Sequence, residues 1–376
     1  MVTVKAIDKK KDLKQFVQFR TDLYKGNPYA VPALFDDELN TLTPEKNPAG
    51  EFCDFQCFLA YKNDKIVGRI CAIINNRANE IWKSKSGRIG FFDFIDDEEV
   101  SDALLSTAEE WIRSKGMTEV HGPLGFTDMD PEGMLIEGFD QLGTMAAYYN
   151  YDYYPKHIER LGYVKDADWV EFKVYIPDAI PDKHKRIADI VQKKYELKLM
   201  KFKKASQIID EGWGRKFFEL INMSYGHLYG FTPLTERQID HYVKMYVPIL
   251  RPELVTLIAD KDNNLVCVGV ALPSLSKALQ KSNGKLFPFG FIHLLKALKT
   301  KAEICDLMLV AVHPEYQNKG VNALLFTDLI PQFQKLGTVY AESNPELEEN
   351  GKVQAQWDYF KTEQHKRRRA YKKELI

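Results

Sequence analysis

Residues 307–328 read LMLVAVHPEYQNKGVNALLFTD, and the reading of this stretch decides the fold. Leu307 to Val312 is short, apolar and rich in branched side chains, which predicts a buried strand; His313-Pro314 ends it, because proline cannot donate to a ladder. Tyr316 to Asn322 is polar, and Ala323, Leu324, Leu325, Phe326 and Leu329 follow at amphipathic helical spacing. The pattern is strand, turn, helix. A helix N-terminus exposes unpaired N–H groups and the positive end of a dipole, and Gly320 lets a ligand approach the backbone. The turn is therefore a candidate pyrophosphate cradle, with an ordinary polar loop as the plain alternative. It is neither a Walker loop nor a dinucleotide fingerprint, because the glycines those require are absent.

The stretch resembles the acyl-CoA-binding motif of the GNAT superfamily of N-acetyltransferases, a strand followed by Q/R-x-x-G-x-G/A. Gln317, Asn318, Lys319, Gly320 and Val321 match it, and the preceding V-A-V-H-P-E-Y is typical of that family. Asn322 stands where the family has Gly or Ala. The resemblance implies acetyl-CoA or another acyl-CoA as a substrate, with Gln317 to Asn322 on the diphosphate. Backbone groups of Val310 and Val312 would hold the acyl and pantetheine part, between two strands that splay apart. Those strands are Leu307 to Val312 and Thr338 to Glu342. Glu342 is the carboxylate nearest the gap and the candidate base; a surface Glu with no chemistry is the alternative. GNAT enzymes often carry an acid tyrosine within N-x-x-A-x-x-x-Y. Asn350, Val353 and Trp357 occupy that spacing here, so a tryptophan replaces the hydroxyl, and Tyr359 is the candidate acid only through a change of register.

Composition bounds the rest. The chain has 376 residues, 45% of them hydrophobic, which suffices for about two domains with real cores. A formal net charge of −1 gives no overall pull toward nucleic acid or anionic membrane, so no DNA partner is expected. The five cysteines, at 53, 57, 71, 267 and 305, suggest a reducing compartment and no disulfide framework. Cys53 and Cys57 lack a second pair or a His, so they read as packing and no metal site is expected. The amino terminus lacks an apolar signal core and no run reaches the length of a membrane span, so a soluble cytoplasmic protein is expected.

Taken in order, a strand at Val2 to Ile7 and a helix from Leu13 to Tyr24 precede a hairpin, Phe55 to Tyr61 and Ile66 to Ile74, about Lys62-Asn63-Asp64. A strand from Gly87 to Ile95, a helix opening at Asp96 to Glu99 and a strand from Thr118 to Gly122 follow. The second half repeats this order: a strand at Leu197 to Phe202, helices, a hairpin about Asp262-Asn263-Asn264, then the opening stretch and Thr338 to Glu342. IVGRICA beside VCVGVAL is the most visible echo. Two copies imply tandem domains, 1–176 and 184–376, with a linker at Pro177 to Lys183. This is also the order of the GNAT fold, so the expected class is α/β with mixed sheets, as two tandem GNAT folds. The sequence resembles a family of uncharacterised tandem GNAT-like proteins in which a segment such as Leu286 to Leu295 recurs.

The halves differ at the key turn, where the first half has Asp96-Asp97-Glu98-Glu99. Acids there favour the helix dipole but repel a pyrophosphate, so the first half is expected to be a degenerate copy. Its N-Y-D-Y-Y run, Asn150 to Tyr154, resembles a later GNAT element; the aromatic cluster from Tyr148 to Tyr154 reads as a substrate wall or as core. His365 to Arg369 is the one dense basic cluster, a candidate contact for the CoA 3′-phosphate or for RNA, with a solvated face the commoner outcome. The segment Pro288 to Leu298 reads as a packed insertion, with a lid or a surface-seeking helix as alternatives. The expected function is acyl transfer from CoA to a small-molecule or peptide amine in the second domain. A silent CoA-binding pair, or tRNA-dependent aminoacyl transfer of the Fem type, are the alternatives, and tRNA is a partner only under the last.

Overall fold

The computed structural model describes residues 1–375. In chain order it begins β1 (Thr3–Ala6), α1 (Lys10–Leu23), α2 (Phe35–Thr41), β2 (Cys53–Lys62), β3 (Lys65–Asn75), α3 (Asn76–Trp82) and β4 (Ser86–Phe94). Next come α4 (Glu98–Ser114), β5 (Glu119–Gly122), β6 (Met134–Glu137), α5 (Tyr153–Arg160) and β7 (Val164–Tyr175). The second half holds α6 (Asp182–Lys194), β8 (Lys198–Met200), α7 (Ala205–Asp210), α8 (Trp213–Tyr225), α9 (Glu236–Tyr246), β9 (Val255–Ala259) and β10 (Leu265–Pro273). It continues with α10 (Ser276–Ser282), α11 (Gly290–Lys299), β11 (Ile304–Val312), α12 (Asn322–Leu336), β12 (Tyr340–Ser343), β13 (Glu346–Leu347), α13 (Gly351–Gln354) and β14 (Thr362–Glu374).

Two compact units form, and their composition differs from a division of the chain into 1–176 and 184–376. Unit 1 takes Met1–Val170 together with Ser276–His293 and His365–Ile376; unit 2 takes Glu171–Leu275 and Leu294–Gln364. The main change of unit falls within β7, before the proline-containing stretch, and α6 occupies much of the ground beyond that expected linker.

In unit 1 the strands run β1-β2-β3-β4-β5-β14, antiparallel except for the parallel pair β4 and β5. In unit 2 the order is β8-β9-β10-β11-β12-β7, again antiparallel except for one parallel pair, β11 and β12. In each unit a helix, α4 or α12, crosses between the parallel strands, which is the short βαβ connection a parallel pair requires. Both hairpin tips use residues that tolerate positive φ: Asn63 at +52° and Asp64 at +59° in unit 1, and Asn263 at +63° in unit 2.

The echo IVGRICA and VCVGVAL has a packing cause. A Cβ on Gly68 of β3 would lie 2.6 Å from Leu104 Cδ1 on α4, and one on Gly269 of β10 would lie 2.4 Å from Leu325 Cδ1 on α12. At matching places in the two sheets, glycine lets the crossing helix press onto the strands. Around these contacts lies one hydrophobic cluster of each unit, with Phe94, Val100, Leu104, Ala108 and Ile112 in unit 1 and Ile258, Val266, Leu324, Leu325 and Phe333 in unit 2.

Candidate functional site: the gap between the parallel strands

The parallel pairing of unit 2 is short. β11 and β12 are in register from Ile304↔Tyr340 to Leu307↔Ser343, after which β12 ends and β11 runs on to Val312. The edge of β11 beyond Leu307 faces a gap. Its carbonyls there are met by side chains: Asn344 Nδ2 donates to Met308 O at 2.6 Å, Tyr225 Oη to Val310 O at 2.7 Å, and Ser224 Oγ to Val312 O at 3.0 Å. Gln317 Nε2 also donates to Val312 O, at 3.2 Å. Ser224 and Tyr225 end α8, so that helix, which no motif connects with the gap, supplies two of its hydroxyls.

The turn follows directly. Asn318 has φ +60° and Gly320 φ +80°, so the backbone doubles back before α12 begins. Among the described residues, the amides of Gly320, Val321 and Asn322 donate to no acceptor, as expected of a helix start with no side-chain cap. Lys319 and Asn318 are exposed, and the Lys319 ammonium lies over the rings of Tyr195 and Tyr316. Gly320 has a second role: a Cβ there would meet Ile187 Cγ2 of α6 at 2.8 Å. Glycine at this position thus serves helix packing as well as an open backbone.

Glu342 lies within β12, buried, in register with Asp306 of β11 and Lys173 of β7. Glu346 follows on β13. Burial pushes its carboxyl up to about 7, against the pull of hydrogen bonds from Trp357 and Ser343. It also lies close enough to Tyr225 to raise that phenol, whose value burial takes to about 12. Tyr359 is 49% exposed and accepts from Lys183 Nζ at 2.7 Å, with its ring against His184. Val353 falls in α13, whereas Trp357 begins a separate single turn, so one helical register does not join Asn350 to Tyr359. Asn350 caps α13 without a side-chain bond. The structure therefore gathers Val310, Val312, Gln317 and Glu346 around the gap and sets Tyr359 on α6.

Unit 1 has the corresponding gap. β4 and β5 pair only from Ser86↔Glu119 to Arg88↔His121, and β4 then continues to Phe94. Here the gap is a cavity lined by Arg20, Asp93, Pro123, Met134, Tyr148 and Tyr154, among others. Its volume of about 30 Å³ is room for a water or two and not for an acyl chain. Beside it a buried charge network closes on itself. Arg69 Nε donates to Asp93 at 2.7 Å and its Nη1 to Glu38, Arg20 also donates to Asp93, and Tyr148 Oη donates to Glu38 at 2.7 Å. Burial alone would lower the Arg69 value, but Glu38 and Asp93 more than offset that and hold the guanidinium charged. Tyr149 and Tyr154 pack in the core, and Asn150 pins β6 through both its amide atoms to Leu135. The acidic turn is engaged within unit 1: Lys62 Nζ lies 2.6 Å from Asp97 and 3.0 Å from Glu99, the His157 ring meets Asp96 at 2.9 Å, and Asp97 caps α4.

Comparison with known proteins fixes the relationship. No protein-family model matches the chain. Protein YghO of Escherichia coli (strain K12) is 31% identical over 375 residues, which cover 97% of this chain and 94% of YghO. The chain belongs to the YghO family. A bacterial ceramide synthase of Caulobacter vibrioides is 27% identical over 317 residues, 84% of this chain and 81% of that protein. Among solved structures, a tandem GNAT protein from the clavulanic acid biosynthesis pathway has a TM-score of 0.55 at 11% identity, over 100% of this chain and 99% of its own. A GCN5-related N-acetyltransferase from Sphaerobacter thermophilus gives 0.53 at 12%, over 100% and 96%. These likenesses establish the fold: this YghO relative has a tandem GNAT fold of mixed α/β class.

Two expectations from the sequence change. The basic run His365 to Arg369 is neither a solvated face nor open to a phosphate, because it forms part of β14 in the unit 1 sheet. Lys366 and Arg368 are each 1% exposed, Arg368 donates to Tyr148 O, and Arg367 and Arg369 on the opposite face pair with Asp168. Strand alternation, invisible in a run of like charges, sorts them between two faces. The second change concerns Pro288 to Leu298, whose large apolar side chains are mostly exposed and not packed. Among the described residues no helix is long and apolar enough to cross a membrane, and no three His, Cys, Asp or Glu side chains gather as a metal would need.

Proposed function

We propose that the protein is an N-acyltransferase that takes an acyl group from acyl-CoA and works in the gap of unit 2. The observation that carries this reading is the departure of β11 from β12 after Leu307, leading straight into the Gln317 to Asn322 turn, where the amides of Gly320, Val321 and Asn322 have no acceptor among the described residues. In this reading the diphosphate rests on Gln317, Asn318, Lys319, Gly320, Val321 and Asn322. The pantetheine runs along β11 at Val310 and Val312 toward Asn350, and Tyr225 and Ser224 exchange their carbonyl partners when it enters. The amine attacks the thioester carbon, its proton passes to a carboxylate, and the C–S bond breaks to leave the CoA thiolate, which takes a proton. A base poised near 7 is well matched to neutral pH, which favours Glu346 over Glu342. Tyr225, whose hydroxyl lies on Val310 O within the gap, is then better placed than Tyr359, which packs on α6, to protonate the departing thiolate.

The acceptor in this reading is the amine of a long-chain amino alcohol, by kinship with the Caulobacter ceramide synthase. Incubating the purified protein with acyl-CoAs of graded length and sphingoid bases, and following free thiol and N-acyl product, tests it. Product with long-chain partners supports the assignment. Tight CoA binding with no turnover on any amine would instead identify a silent CoA-binding pair, a reading favoured by the carbonyls of Val310 and Val312 being already engaged.

A further inference from the structure

The segment from Ser276 to Ala302 stands apart in charge and exposure. It contains Lys277, Lys281, Lys285, Lys296, Lys299 and Lys301 and no aspartate or glutamate, a charge of +6 in a chain of net charge −1. All six lysines are exposed. The base of the segment is fixed to unit 1. Ser276 Oγ donates to Gly143 O at 2.8 Å, Gln280 Nε2 donates to Pro28 O at 2.9 Å and Ala30 O at 3.0 Å, and Gly284 O accepts from Phe35 N at 2.8 Å. Beyond this anchor the apolar side chains turn outward: Phe287 is 74% exposed, Phe289 70%, Ile292 50%, Leu295 45% and Phe291 38%. Single exposed apolar residues are ordinary, but five within nine positions form a patch that demands an occupant.

The geometry of α11 makes the patch directional. Phe291, Leu295 and Ile292 fall within about 100° of the helical circuit, Leu294 points elsewhere and is buried, Lys296 borders the exposed arc, and Lys299 falls on the arc itself about two turns beyond Phe291. Aromatic and aliphatic side chains at a tip, with a collar of lysines and no acids, match the layering of a bilayer surface, apolar below and anionic above. A second copy of this chain would bring the same positive collar against its own, so charge opposes self-association through this face.

We propose that residues 285–299 dock on an anionic lipid bilayer, with Phe287, Phe289 and Ile292 entering the acyl boundary and the lysines at the headgroups. The inference stands on this segment alone and is independent of catalysis. The test is flotation of the full chain with phosphatidylcholine vesicles, with and without roughly one-third phosphatidylglycerol, at low and raised salt. The expected result is retention on the phosphatidylglycerol vesicles, weakened by salt, and a partition coefficient lowered at least about 10-fold in F287S/F289S. K281Q/K285Q/K296Q/K299Q should lose the preference for anionic vesicles while keeping the parent's thermal stability. Failure of the parent to float with either vesicle overturns the proposal, as does undiminished flotation of folded F287S/F289S. A concentration-dependent dimer abolished by F287S/F289S would reassign the patch to a second copy and overturn it too.

Discussion

The indole Nε1–H of Trp357 donates to both carboxylate oxygens of Glu346, at 3.1 and 3.2 Å. Trp357 falls, by its spacing from Asn350, where the resemblance to GNAT enzymes would put an acid tyrosine, and an indole has no proton of useful acidity to give. What it does here is hold a carboxylate. Under the proposed function Glu346 must be ionised to accept the amine proton, so the rate should rise with pH through an apparent value of about 7. Glu346→Gln should lower turnover roughly 100-fold and flatten that limb. Trp357→Phe removes a donor that favours the ionised form, so it should move the limb to higher pH. Glu342→Gln is the comparison: a large rate loss there, with Glu346→Gln near the parent, would transfer the role to Glu342.

The same carboxyl predicts a stability slope. Its folded value, about 7, lies above the ordinary 4.5, so between those values the folded state holds a proton that the unfolded chain has released. Stability from this group is therefore present at low pH and is lost as pH rises from about 4.5 through about 7. Glu346→Gln cannot ionise. Its melting temperature should gain on the parent's as pH goes from about 5 to about 8, and thermal melts of the two proteins across that range check it. A constant difference across pH would mean that Glu346 ionises normally.

Much of the fold was legible because the duplicated pattern has local causes. Asn-Asp turns, the glycine on the strand under each crossing helix, and the Pro314 stop all announce themselves in sequence. β14 did not, because a run of like charges reads as surface until its partners Asp168, Tyr148 and Glu137 are known, and those lie far away in sequence. The return of Ser276 to His293 and of the carboxyl terminus to unit 1 was equally hidden, since periodicity reports on an element and not on its neighbour. At the site, the turn was readable from its glycine and polar residues. Ser224 and Tyr225 carry no signal beyond the last turn of an amphipathic helix, and the role of Glu346 depends on a burial that only the fold creates.

The turn itself can be probed without disturbing the fold. Gly320→Asp is a poor probe, because φ +80° and the 2.8 Å approach to Ile187 strain any side chain there. Lys319→Glu and Asn322→Asp add negative charge on the accessible side of the same turn. Each should weaken CoA binding about 10-fold or more by calorimetry, with thermal stability near the parent's. Asp97→Asn in the acidic turn of unit 1 should leave CoA affinity unchanged. Equal affinity in all three variants would remove the unit 2 turn from the binding site.

The buried network of unit 1 gives a prediction of a different kind. Asp93 is 1% exposed and serves two guanidiniums, Arg20 and Arg69, which leaves Glu38 as the only other carboxylate in the group. Burial alone would raise Asp93, but the two arginines overcome it and hold the carboxyl below its ordinary 3.8. Asp93→Asn keeps the shape and strands a buried positive charge, at a cost of about 3–5 kcal/mol. For a unit of this size that corresponds to a fall in melting temperature of about 6–20 °C. A carboxyl with a depressed folded value adds stability above the unfolded value and loses it as pH falls through the folded one, so the deficit of Asp93→Asn should hold steady from about pH 5 to 8 and shrink below about 4. Because the cavity beside Asp93 is water-sized, the variant kept folded at low temperature should bind CoA as the parent does. A folded Asp93→Asn protein that had lost CoA binding would move the cofactor to the gap of unit 1 and make the Arg20–Asp93 pair part of the site.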